Sequence, residues 1–171
     1  DENLNFINYQ RIPTPNNINE FIADAIFELV SHFKETYMIH PLQVGISSAG
    51  VINEEEGSVV YAGPTIPNFI GTNFHKLLSP LNAEVKVFND VNAALLGELT
   101  LHDYEADNIF CLTLGTGIGG AFYNKVGHLY NGERNRANEI GYLLYKQQDR
   151  LTFEQRASTN ALKFLMKTHA L

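Results

Sequence analysis

Apolar residues recur at three- and four-residue steps through Ile18, Phe21, Ile22, Ala25, Ile26, Leu29, Val30 and Phe33. That spacing predicts an amphipathic helix whose stripe packs into a core. Asn17, with Glu20 three residues on, has the layout of a capping box with Asn in place of Ser or Thr. Ahead of it, residues 4–11 alternate loosely as a strand does, until Pro13-Thr14-Pro15 breaks the pattern. Residues 42–47 (LQVGIS) form a short apolar run of the buried-strand type. Two further strands are predicted within 51–62, around the turn Asn53-Glu54-Glu55-Glu56-Gly57, whose glutamates read as solvated. Pro64, Pro67 and Gly71 mark a loop over 63–72, followed by a short helix at 74–78 and a strand at 84–88. Asn89-Asp90 then opens a helix through Ala93, Ala94, Leu95 and Leu96.

After Asp107 the register changes. Residues 109–114 read as a strand, a glycine-rich stretch turns it, and Ala121-Phe122-Tyr123 reads as its return. Residues 127–132 are rich in turn formers, 139–145 are apolar again, and 153–168 are expected to be helical. Strands alternating with helices, together with hairpins, indicate a mixed α/β architecture. A boundary near 101–108 divides the chain into two lobes, 1–105 and 106–171. There is no internal repeat and no low-complexity tract.

Composition narrows the function classes. The 171 residues are 44% apolar and 18% charged, with 8 Tyr and 11 Phe, a globular balance rather than a disordered one. A formal net charge of −7 without a basic cluster argues against a nucleic-acid partner. Cys111 is the single cysteine, so no internal disulfide forms, and its setting FCLTL reads as an inert thiol in a buried strand. No apolar run reaches the ~18 residues of a membrane span and no signal peptide heads the chain, so a cytoplasmic protein with no membrane partner is expected.

Candidate chemistry starts at LTLGTGIGG, residues 112–120. The dinucleotide fingerprint needs G-x-G-x-x-G at the start of a helix, whereas the pattern here is G-x-G-x-G-G followed by strand-like AFYN. A P-loop needs Gly-Lys-Ser/Thr, which is absent. What remains is a strand–turn–strand with Thr116 between Gly115 and Gly117: a plain hairpin, or one whose N–H groups and hydroxyl receive an anion. Asp90 has two readings as well, an N-cap at a strand-to-helix corner or a general base at the end of a strand. Asn89 beside it can both donate to and accept from a polyol. Glu139 lies in an apolar surround, NEIGY, unnatural for a purely solvated carboxylate. The six histidines are dispersed, with no metal-ligand spacing, so no metal site is read from the chain.

Taken together, four segments carry a resemblance: VGISSAGVINEEEGSVVYAG, VFNDVNAALLGE, CLTLGTGIGGAFYNKVGHLYNG and NEIGYLLY. In order and spacing they resemble the ROK family (repressors, open reading frames and sugar kinases), over about residues 42–162. The resemblance implies the actin-like ATPase (ribonuclease H-like) fold within a two-lobe sugar kinase. Residues 1–105 would form a sugar-binding lobe without its first phosphate loop, and 106–171 the first part of the nucleotide lobe. By position, Asp90 matches the catalytic base acting on a sugar hydroxyl. Asn68, Asn89, Glu139 and Glu154 match sugar contacts. Gly115, Thr116 and Gly117 match a phosphate loop facing the γ-phosphate of ATP.

The departures matter too. Members with structural zinc have a histidine three residues after the glutamate and a cysteine-rich segment behind it. Here Tyr142 stands there and the segment up to Phe153 has no cysteine, so no zinc is expected and Tyr142 becomes a sugar-site residue. This is similar to zinc-free members such as β-glucoside kinases. The first phosphate loop, D-x-G-G-T, does not precede Leu42, and the later adenosine segment does not follow, so the chain reads as an internal fragment, inactive alone. The implied activity is transfer of the γ-phosphoryl of ATP, with Mg²⁺, to the 6-hydroxyl of a hexose or β-glucoside, in a protein that forms homodimers in related cases. The alternative is the sugar-sensing effector domain of a ROK-type repressor.

Overall fold

The computed structural model describes residues 5–144 and 150–169. Leu4 and Tyr145, at the ends of two predicted elements, lie outside the described residues. Two strands anchor the first half: β1 (Leu42–Ser48) and β4 (Ala83–Asn89), paired parallel with Val44 opposite Val85 and Ile46 opposite Val87. Parallel pairing requires a crossover. Here it consists of the hairpin β2 (Val51–Asn53) and β3 (Ser58–Tyr61), a loop, and the short helix α2 (Phe74–Leu78). Asn73 caps α2 by accepting from the Lys76 amide at 2.8 Å.

Helix α1 (Ile22–Tyr37) lays Ile22, Ile26, Phe27 and Val30 against this unit. The core beneath it holds Ile52, Val59, Phe69, Phe74, Leu78 and Val87, all buried. The predicted stripe therefore holds from Ile22 on, where the helix starts, while Ile18 and Phe21 lie before it and are exposed. Asn17 is buried with φ of 59°, and its Oδ1 accepts from the Ile22 amide at 2.9 Å. It thus satisfies a first-turn donor from five residues upstream. A local capping box is replaced by a long-range anchor, for the Asn17 amide also donates to the Pro67 carbonyl at 2.6 Å. Nor do residues 5–11 form a strand. They form no regular element, with Phe6 95% exposed, and no strand pairs with them among the described residues.

Helix α3 (Asp90–Leu101) leaves the C-terminal end of β4 and packs on the second sheet. That sheet runs β5 (Asn108–Leu114), β6 (Ile118–Asn124) and β7 (His128–Leu129), all antiparallel. Buried Val91 and Leu95 of α3 meet buried Ala121 of β6, with half-buried Ile109 and Cys111 beside them. Cys111 is thus on the packed face of β5. The strand is not buried on both faces, however: Phe110, Leu112 and Leu114 point outward and are exposed. The chain ends in two helices rather than the single one expected, α4 (Phe153–Ala157) and α5 (Thr159–Thr168). Ser158 separates them in an extended conformation because its hydroxyl caps α5, accepting from the Ala161 amide at 3.2 Å.

Candidate active site

β1 and β4 end side by side, and α/β folds commonly open a binding crevice beyond the carboxyl ends of such strands. A cleft of about 740 Å³ opens there, between the first sheet and the glycine turn of the second. Its size suits a small organic ligand.

On the first-sheet side stand Asn89 and Asp90. Asn89, not Asp90, is the N-cap of α3: its Oδ1 accepts from the Val91 and Asn92 amides at 2.9 and 3.3 Å. Its Nδ2 donates to the Gly50 carbonyl at 2.9 Å, tying the end of β4 to the turn after β1. The cap role is therefore filled by the neighbour. Among the described residues the Asp90 carboxylate accepts a hydrogen bond only from its following amide, Val91, at 3.1 Å, and it is exposed to the cleft.

On the opposite side is the turn Gly115-Thr116-Gly117, closed by the Gly115 amide donating to the Gly117 carbonyl at 2.9 Å. It adjoins the junction of α4 and α5, where the Thr159 amide donates to the Gly115 carbonyl at 2.8 Å. Glu154 approaches from α4, and its Oε2 accepts from the Ile118 amide at 2.9 Å. These glycines are required by close approach. A Cβ on Gly117 would sit 2.5 Å from Glu154 Oε2, and one on Gly119 2.5 Å from Val91 Cγ2. The amides of Thr116 and Gly117 and the Thr116 hydroxyl have no hydrogen-bond partner among the described residues. Such outward N–H groups fit an anion.

The third wall is the 3₁₀ turn Ile140–Tyr142 with Glu139 just before it. Glu139 is open to the cleft, yet its carboxyl is pushed above the ordinary range. Desolvation by the packed surroundings is the main cause, followed by the charges of Asp90 and Glu154. The Tyr142 hydroxyl is likewise pushed up, chiefly by burial and then by Tyr61, Glu139 and Glu154. Asp90, Glu139 and Glu154 therefore line one cleft, and their like charges favour a proton on Glu139.

The structure thus brings together Asn89, Asp90, Gly115, Thr116, Gly117, Glu139, Tyr142 and Glu154 around one cleft. It does not bring Asn68 there. Asn68 is exposed with φ of 54°, and its Nδ2 donates to the Asn17 carbonyl at 3.0 Å. The neighbouring loop residues Gly63, Pro64 and Thr65 reach the cleft instead. Sequence reasoning missed Tyr61, whose position at the end of β3 gave no chemical signal. It also misread Glu54. That residue is half-buried rather than solvated, its carboxyl pushed up by desolvation against the opposing pull of the Asn131 and Asn92 amides. No group of three or more His, Cys, Asp or Glu suited to a metal ion occurs among the described residues, and no described helix is long and apolar enough to cross a membrane.

The model of the ROK family matches residues 1–161. A β-glucoside kinase of Listeria monocytogenes is 36% identical over 102 residues, covering 58% of this chain and 34% of that protein. A glucokinase of Streptomyces coelicolor is 34% identical over 146 residues, covering 84% of this chain and 44% of that protein. Among solved structures, a ROK family glucokinase from Streptomyces griseus in complex with glucose and AMPPNP superposes with a TM-score of 0.74 at 30% identity, over 93% of this chain and 52% of that one. The chain thus spans about a third to a half of the length of these relatives.

Proposed function

Because the chain belongs to the ROK family, whose kinases share the actin-like ATPase fold, we propose that the protein carrying it is an ATP-dependent sugar kinase acting on the 6-hydroxyl of a hexose or β-glucoside. The observation that carries this reading is the single cleft in which Asp90, Glu139 and the Gly115–Gly117 turn meet. The likeness to a glucokinase solved with glucose and AMPPNP supports it.

Asp90 is the base in this reading. Its carboxylate is not consumed by capping, so it can orient the sugar hydroxyl and take its proton as the oxygen attacks phosphorus. Asn89, Glu139, Tyr142 and Glu154 hold the sugar, with Asn68 as a further contact should its loop close over the ligand. Glu154 has a second task, since its bond to Ile118 steadies the glycine turn. The amides and hydroxyl around Thr116 would receive the terminal phosphate. Bound ATP supplies the γ-phosphoryl group and leaves as ADP. Mg²⁺ carried on the nucleotide would neutralise charge on the transferring phosphate. Tyr142, in place of a histidine ligand, supports a protein without structural zinc. Division into lobes at 105/106, a cytoplasmic setting and a homodimer complete the proposal.

The test is sugar-dependent ADP release by the whole protein over a panel of hexoses and β-glucosides, with the described chain alone expected to be inactive. Turnover with at least one sugar is the expected result. Absence of turnover with every sugar would defeat the kinase reading and leave sugar sensing as the remaining role for the cleft.

A further inference from the structure

Behind the cleft lies a small polar pocket lined by Asn89, Asn92, Asn131 and Glu139, a place where three separate chain segments meet. Asn92 is on the first turn of α3, two residues beyond Asp90. Its Nδ2 donates to Asn131 Oδ1 at 3.1 Å. Asn131 starts the loop that ends at Glu139, and its carbonyl accepts from the Ala137 amide at 2.9 Å. Asn138 closes the same loop by donating to the Tyr130 carbonyl at 3.0 Å. Glu54, from the β2–β3 turn, faces both asparagine amides. The pair is only partly exposed, and a half-buried amide that loses its partner is costly.

We propose that Asn92 and Asn131 form a positioning couple, seated on Glu54, which holds the Glu139 loop at a set distance from Asp90. The proposal rests on the kinase reading for its consequence in catalysis, but not for its geometry. Asp90 and Asn92 move as one body, because both belong to the first turn of α3 that Asn89 caps. Glu139 belongs to a loop with no strand or long helix of its own. The Asn92–Asn131 bond is a direct side-chain link between the two. Neither asparagine lines the main cleft, so neither touches substrate in this reading; each acts through Glu139.

The same couple sets the surroundings of the Glu139 carboxyl. Glu139 is faced by Asp90 from α3, by Glu154 from α4 and by Tyr142 from its own turn, and crowding raises its carboxyl. If the loop drifts away from α3, the burial and the Asp90 charge both weaken, and the Glu139 midpoint falls toward the ordinary glutamate range.

The experiment compares wild type, Asn92→Ala, Asn131→Ala and the double variant in the whole protein. It measures kcat, KM and pH dependence, with carbon-13 NMR titration of the Glu139 carboxyl as a readout independent of turnover. Each single variant is expected to lose about tenfold in kcat/KM, the worth of one such bond. The double variant should lose no more than either single one, because both remove one interaction. The Glu139 midpoint should fall in all three. Single losses that multiply in the double variant, or an unmoved Glu139 midpoint in folded protein, overturn the couple. Should Asn92→Ala unfold, Asn131→Ala decides alone on the NMR titration. A wild type without turnover on any sugar sinks the kinase reading instead, and the NMR arm still judges the couple.

Discussion

The two sheets hold their residues in place by different means. Around β1 and β4, eight buried apolar residues close a core with α1 and α2 packed over it. Around β5 and β6 the cluster has only Val91, Leu95 and Ala121, with buried Ile118 at the start of β6, and Phe110, Leu112 and Leu114 are exposed at 50%, 47% and 67%. Helix α5 has no buried residue and leaves Leu162, Phe164 and Leu165 in the open. The cleft takes one wall from each region. Asn89 and Asp90 ride on the closed core, whereas the glycine turn, at the tip of the β5–β6 ladder, is tied to α4 and α5 by single hydrogen bonds, Ile118 to Glu154 and Thr159 to Gly115. Burial and hydrogen bonding fail in different ways. Damage to the first region should appear as lost stability, and damage to the second as lost cleft geometry in protein that still folds.

The strongest test of that contrast is Phe74→Ala, which empties a site only 1% exposed. Urea unfolding should show a loss of about 3–5 kcal/mol, as for other buried phenylalanines. Its counterpart Phe164→Ala, on the open face of α5, should stay within about 0.5 kcal/mol. Equal losses would break the comparison. Next comes Asp90→Asn, expected to lower kcat by at least about 100-fold in the whole protein while the melting temperature is kept. Near-normal turnover would remove Asp90 from the chemistry.

Gly117→Ala should act on the second wall. The new methyl meets Glu154 Oε2 and must displace it from the Ile118 amide. A loss of about tenfold in kcat/KM follows if one charge-assisted hydrogen bond is broken, with far-UV circular dichroism unchanged. An unfolded variant would show that the turn is a stability element after all. The smallest effect concerns pH. The Glu139 carboxyl is raised in the folded protein, so its contribution to stability is fully present below the ordinary value of 4.5 and is lost as pH rises through the folded value. Glu139→Gln lacks this titration. Its melting temperature should pull ahead of the wild type as pH rises from about 4 to about 7, by a few degrees at most. A constant difference across that range would contradict the raised carboxyl.

Much of the fold was legible along the chain because it follows local periodicity. β1, β4, the β2–β3 hairpin, α2 and β5 lie where alternation, apolar runs and turn residues put them, to within a residue or two, and β6 starts three residues before Ala121, at Ile118. The start of α1 was not legible, since Asn17 reaches Ile22 from five residues upstream while its amide is held by the Pro67 carbonyl, fifty positions away. The residues 5–11 alternate like a strand, but a strand also needs a partner edge, and alternation carries no information about one. Glu54 looked solvated because its neighbours in sequence are charged, while its neighbours in space are the Asn92 and Asn131 amides.

At the candidate site the same division holds. The residue types and their spacing, Asn89-Asp90, then Gly115-Thr116-Gly117, then Glu139, marked the chain as kin to sugar kinases. Chain order by itself determined which groups were available: a carboxylate at a strand end, a turn with small residues, a glutamate in an apolar run. Only the tertiary structure decided their assignments. It gave the cap to Asn89 and left Asp90 free, it used the glycines for contact with Glu154 and Val91, and it turned Asn68 toward Asn17. Those outcomes depend on which atoms compete for each hydrogen bond and each cubic ångström, and such competition exists only once distant segments have met.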